Sequence, residues 1–75
     1  MNSAEIQREI IHALSRDTPG LDRFQIARSI GQAEFRVDAE LKALKREQLV
    51  DEAGTLWRLT ARGYGRADDR EPPSL

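Results

Sequence analysis

Cysteine is absent from this chain, so neither a disulfide bond nor a cysteine-bound zinc ion can stabilise the fold. The chain also lacks any apolar run approaching the ~20 residues that are needed to span a bilayer. Its first ten residues are charged and amphipathic, without the apolar centre of a signal peptide. We therefore expect a soluble cytoplasmic protein with no membrane partner, and its 75 residues suffice for one small domain.

Neither sign of charge is in large excess, because the net charge is only −1. Non-specific nucleic-acid binding depends on Lys and Arg neutralising phosphates, so this balance argues mildly against it. The charge is unevenly distributed, however. Residues 36–66 hold seven basic and five acidic side chains, whereas residues 67–75 hold one basic and three acidic ones. The middle segment is thus weakly basic, and the tail subtracts from its charge.

Residues typical of an active site are scarce. His12 is the only histidine, and a single histidine without a cluster of other ligands is a poor metal or catalytic candidate. No serine or threonine stands in a nucleophile–base pattern, and no glycine-rich phosphate loop is present. The sequence therefore predicts a protein that is not an enzyme and that binds no metal or cofactor.

Apolar residues at helical spacing predict three helices, over about residues 4–16, 23–30 and 34–48. In each helix these residues form one stripe that would face a shared core. The stripes are Ile6, Ile10, Ile11, Ala13 and Leu14; Phe24, Ile26, Ala27 and Ile30; and Val37, Leu41 and Leu44.

The sequence contains clear capping residues for some of these helix ends and not for others. Asn2 and Glu5 have the spacing of a capping box at the first helix, and so do Asp22 and Gln25 at the second. Gly31 follows the second helix, where a left-handed backbone commonly ends a helix. The third helix is preceded by Gln and Ala, which are weak caps, so its start is the least consistent local feature.

A β-hairpin is predicted after the third helix, with a strand starting at residues 49–50, a turn at 51–54 and a return strand over 55–60. Trp57 and Leu59 share one face of the return strand and should close over the helices. Residues 1–66 thus form one domain. Residues 67–75 contain two prolines and little to bury, which predicts a disordered tail.

Three segments carry a resemblance to a known family. They are QIARSIG, VDAELKALKREQLV and GTLWRLTARG, within residues 22–63. Together they resemble the winged helix-turn-helix domain of bacterial regulators of the MarR, ArsR and PadR type, and the LT-RG ending after LWR is the most specific part. The resemblance implies an α+β fold, in which a three-helix winged helix-turn-helix carries a C-terminal β-hairpin wing.

The resemblance also implies a small DNA-binding transcriptional regulator, with double-stranded DNA as the partner. Helix 34–48 would enter the major groove, and hairpin 49–60 would be the wing. By position, base-edge contacts would fall on Ala33, Glu34, Arg36, Asp38, Ala39 and Lys42, and phosphate contacts on Arg28, Arg46 and Arg58.

Such regulators bind as dimers to pseudo-palindromic sites, so the resemblance also implies a homodimer. The chain has no long dimerisation helix. Either the first helix or the segment after Gly63 would have to form the dimer, or the protein binds as a monomer.

The composition of the third helix leaves a second function open. Its first turns carry acidic and apolar residues where the family has Ser, Thr, Arg or His, and carboxylates mostly repel phosphates. Its outward face would hold Phe35, Ala39, Lys42 and Arg46, with Ala43 adjoining. A protein partner would contact Phe35, Ala39, Ala43 and Arg46. Aromatic and arginine anchors suit a protein interface. The alternative is therefore a protein–protein docking module, a subunit or factor of a larger nucleic-acid machine.

Overall fold

Four helices and a three-stranded antiparallel sheet form the part of the chain that the computed structural model describes, residues 2–17 and 19–69. In chain order the elements are α1 (Ser3–Arg16), β1 (Leu21–Asp22), α2 (Arg23–Ile30), α3 (Glu34–Arg46), β2 (Val50–Ala53), β3 (Leu56–Leu59) and α4 (Ala61–Asp69). The predicted α+β class is confirmed. Among the described helices, none has the length and apolar character to cross a membrane.

The core is built where the apolar stripes of α1 and α3 meet under the sheet. All the residues predicted for these two stripes are buried, and so are Trp57 and Leu59. The stripe predicted for α2 is wrong at one position, because Phe24 is 57% exposed. Ile26 and Ala27 face the core instead. Two residues along a helix turn the side chain by about 200°, which places Phe24 on the side opposite Ile26.

The predicted helix caps are present. Asn2 and Glu5 form a capping box, and Asp22 and Gln25 form another, with backbone-to-side-chain distances of 2.7–3.0 Å. Gly31 is left-handed, with φ of 71°. As expected, no side chain caps the start of α3.

The third helix ends two residues earlier than predicted. Gln48 adopts a left-handed backbone with φ of 63°, and the amide of Leu49 then donates to the carbonyl of Leu44 at 3.0 Å. The left-handed residue that ends a helix is usually glycine or asparagine. A glutamine at this position therefore did not indicate the end of the helix.

The sheet order is β1-β3-β2, so β3 is the central strand. The hairpin turn lies at Gly54 and Thr55, not at the predicted residues 51–54. Gly54 is the residue that supplies a positive φ, of 65°, so the turn centres on it and residues 51–53 stay in β2. The strand β1 was not predicted. It pairs Leu21 with Trp57 in β3.

The hairpin is not C-terminal, because α4 follows it and brings the helix count in the described residues to four rather than three. Thr60 precedes this helix and caps its first turn, because its Oγ1 accepts from the amide of Gly63 at 3.1 Å. The same hydroxyl donates to the carbonyl of Gln48 at 2.6 Å. The expectation of disorder from residue 67 is wrong for residues 67–69, which lie in α4. Residues 70–75 lie outside the described part of the chain.

Candidate functional site

One face of α3 is turned to solvent along its whole length. Phe35, Ala39, Lys42 and Arg46 follow one another at helical spacing, and all four are exposed. We call these four residues the outward face. Phe35 is the most exposed large apolar residue of the described chain, at 75%. The face is therefore apolar towards the start of α3 and cationic towards its end.

Asp38 borders the outward face, and its charge is neutralised by two neighbours. Its Oδ1 lies 3.1 Å from Arg23 Nη1, and its Oδ2 lies 3.1 Å from Lys42 Nζ, the i,i+4 pair that the sequence suggests. The hydrogen bonds from Lys42 and then from Arg23 lower the pKa of Asp38 below its ordinary value. This carboxylate stays ionised and is held between two cations.

Glu40 points away from the outward face and into the junction with α1. It is buried, and its two oxygens accept from Ser3 Oγ at 2.5 Å and Gln7 Nε2 at 2.7 Å. These hydrogen bonds, from Ser3 and then from Gln7, lower the pKa of Glu40. Glu40 thus fastens α3 to α1 and does not add negative charge to the exposed side of α3.

Lys45 on α3 contacts two residues of the hairpin. Its Nζ lies 2.9 Å from Glu52 Oε1 and 6.0 Å from the centre of the Trp57 ring. The hydrogen bond to Glu52 raises the pKa of Lys45. Trp57 itself is buried, which confirms its predicted role as a cover of the core. Lys45 thus connects α3 to the hairpin through an exposed ion pair and a contact with the Trp57 ring.

A small groove, of about 250 Å³, separates the starts of α2 and α3 from the hairpin. We call it the acidic groove, because four carboxylates line it beside a single guanidinium. These residues are Asp22, Glu34, Asp38 and Glu52, with Arg23. The acidic groove runs beside the outward face, so an anionic partner must avoid it and approach along Lys42 and Arg46.

A larger cleft, of about 500 Å³, lies between α1, the end of α3 and α4. The exposed Arg8 and Arg66 and the buried Ile11, Leu44 and Leu49 are among its lining residues. Because Leu44 belongs to the buried stripe of α3, this cleft is separate from the outward face.

The predicted contact residues do not all come together. Ala39, Lys42 and Arg46 share the outward face with Phe35, while Arg36, Asp38 and Ala43 lie half-buried on its flanks, and Ala33 and Glu34 are exposed at the start of α3.

Arg28 and Arg58 lie elsewhere. Arg28 is exposed on α2, one turn after Phe24. Arg58 lies opposite Asp51 on the side of the sheet away from Trp57, so it is not part of the outward face. Sequence reasoning missed Arg23, since its partner Asp38 is 15 residues away and no local spacing predicts the pair.

No model of a known protein family matches this chain, and no curated protein matches it. Its function is therefore inferred from the geometry of the candidate site.

Proposed function

We propose that this chain is a small winged-helix DNA-binding protein, a transcriptional regulator, in which α3 enters the major groove and the hairpin lies against the flanking backbone. One observation carries the proposal. All four residues of the outward face are exposed, while two of the three carboxylates in the first two turns of α3, those of Asp38 and Glu40, are bound by other side chains.

The order of elements supports this function. A helix, a tight turn at Gly31, a second helix and a hairpin follow one another, which is the order implied by the resemblance to winged helix-turn-helix regulators. In a helix-turn-helix, the second helix lies in the major groove with its first residues at the base edges, and the first helix crosses the backbone. In this proposal, α2 would take the position of the first helix and α3 that of the second.

The charges near α3 suit a weak electrostatic attraction to DNA. Lys42 and Arg46 are exposed on the outward face, and Arg36 lies on its flank. Lys42 Nζ has three N–H donors, so it can donate to a phosphate while it keeps its ion pair with Asp38. With Arg28 and Arg58 as further phosphate contacts, about four to six cations could act.

A titration of duplex DNA of random sequence against salt tests the proposal. Binding should be measurable at about 50 mM salt, with a slope of log affinity against log salt of about −4 to −5. Arg46→Ala should flatten this slope by about one unit. Asp38→Asn should strengthen binding to all duplexes, because it removes a negative charge and frees Lys42.

The matched control is Arg8→Ala. Arg8 is also an exposed arginine, but it lines the cleft between α1, the end of α3 and α4, so its loss should leave the slope unchanged. A wild-type protein that binds no duplex at about 50 mM salt would refute DNA binding.

A second candidate function is protein docking. The 75% exposure of Phe35, beside Ala39 and Ala43, favours it, because an exposed aromatic with small apolar neighbours is common at the centre of protein interfaces. This function predicts no duplex binding at low salt. It also predicts that Phe35→Asp abolishes capture of a protein partner, while Phe24→Asp does not.

A further inference from the structure

We infer that the outward face reads thymine, through contact of Phe35 and Ala39 with the C5-methyl groups in the major groove. This inference rests on the proposed DNA-binding function and adds the base that α3 would prefer. It starts from the placement of the two apolar side chains in the first half of α3, where a helix of this kind meets base edges.

Phe35 and Ala39 have no side-chain hydrogen-bond donor or acceptor. They can distinguish base pairs only by apolar contact. The apolar group that the bases present in the major groove is the thymine methyl, and Ala and Phe are among the side chains that contact it. An exposed Phe35 therefore favours thymine over cytosine, whose edge presents an amino group at the neighbouring position.

The spacing of the two side chains suits neighbouring bases. Four residues of helix separate Phe35 from Ala39, which is about 6 Å along the axis. Base pairs follow one another at about 3.4 Å, so both side chains can lie over methyl groups one or two base pairs apart. Lys42 and Arg46 continue the same face and would then lie towards the backbone.

The neighbouring carboxylate does not compete as a reader. A free Asp38 could accept from the amino group of cytosine. Each of its oxygens instead accepts from a cation, Oδ1 from Arg23 and Oδ2 from Lys42. Phe35 and Ala39 are therefore the side chains of the outward face that would contact the base edges.

The experiment compares an alternating A·T duplex with the same duplex carrying uracil in place of thymine, by fluorescence anisotropy at about 50 mM salt. Loss of one buried methyl contact should weaken binding about fourfold, so loss of one or both contacts should weaken it about four- to sixteenfold. A G·C duplex with 5-methylcytosine should bind more tightly than the same duplex with cytosine. This second pair separates the methyl contact from any change in duplex stiffness caused by uracil.

Phe35→Ala should lower the thymine-to-uracil ratio of affinities about fourfold and leave the salt slope unchanged. Phe24→Ala is the matched control, because Phe24 is also exposed, at 57%, but lies on α2. Both side chains are exposed, so both variants should melt like the wild type.

Two outcomes would overturn the thymine inference alone. These are equal wild-type affinity for the thymine and uracil duplexes, and equal loss of the ratio in the Phe35→Ala and Phe24→Ala variants. Failure to bind any of these duplexes would overturn the proposed function together with the inference.

Discussion

The buried carboxylate of Glu40 gives the sharpest test of how α1 and α3 are joined. Glu40→Gln keeps the size of the side chain and removes its charge. In the wild type, the ionised carboxylate accepts from both Ser3 and Gln7, at 2.5 and 2.7 Å. In the variant, the amide oxygen can still accept from one partner and the amide NH2 group can donate to the Ser3 hydroxyl, but both hydrogen bonds lose the charge that strengthens them.

The expected loss follows from these two hydrogen bonds. A hydrogen bond to a charged group contributes about 1.5–3 kcal/mol and a neutral one about 0.5–1.5 kcal/mol, so Glu40→Gln should lower the free energy of unfolding by about 2 kcal/mol at neutral pH. The folded-state pKa of Glu40 lies below its ordinary value of 4.5. The stabilisation is therefore present above about pH 4.5 and is lost as the pH falls through the lowered pKa.

Urea melts of both proteins at neutral and acid pH measure this difference. The gap between wild type and variant should be largest at neutral pH and should close in acid, because the wild-type carboxyl becomes protonated. Glu47→Gln, at an exposed carboxylate just after α3, is the control and should change stability little at either pH. A gap for Glu40→Gln that is the same at both pH values would refute the reasoning.

Three further substitutions test the packing. Leu44→Ala should lower the free energy of unfolding by about 2–5 kcal/mol in a denaturant melt, because Leu44 is 1% exposed; a loss as small as that of a surface change would contradict its place in the core. Gly63→Ala should destabilise the fold although Ala is the better helix former, because a Cβ at this position would lie 2.1 Å from the carbonyl oxygen of Leu49. Gly65→Ala, in the same helix with open space around it, should instead stabilise by up to about 1 kcal/mol, and the same sign for both glycine variants would refute the close approach of α4.

Much of the fold was predictable because local chemistry and burial agree. Both predicted capping boxes form, and the stripes of α1 and α3 are buried as their spacing indicates. The error at Phe24 has a different origin. A helix of eight residues carries too few apolar positions for the sequence to fix its rotation, and packing against α1 and α3 decides it.

The elements that were missed depend on contacts distant in sequence. The strand β1 has two residues, and Gly20 brings it against β3: a Cβ there would lie 2.3 Å from the carbonyl oxygen of Trp57. The helix α4 contains Gly63 and Gly65, which weaken any local prediction of a helix. The LT-RG pattern is now explained by its contacts, because Thr60 caps α4 and Gly63 lets it approach Leu49.

One part of the candidate site was predictable from the sequence and another part was not. The outward face of α3 was predictable, because its residues are those opposite a stripe whose period is clear. The two contacts that hold its carboxylates to distant residues were not predictable. Glu40 meets Ser3 across 37 residues, and Asp38 meets Arg23 across 15. Both contacts remove carboxylates from competition with phosphates, so a sequence-level count of charges on α3 overstates how acidic its exposed side is.

The sheet order has a consequence for self-association. With β3 in the centre, β2 forms one edge of the sheet, and an open edge is a template on which a second chain can add a strand. Here the edge is four residues long and carries Asp51 and Glu52, and short, charged edges oppose such pairing. Addition of a strand along β2 is therefore disfavoured, which limits growth of the sheet at this edge.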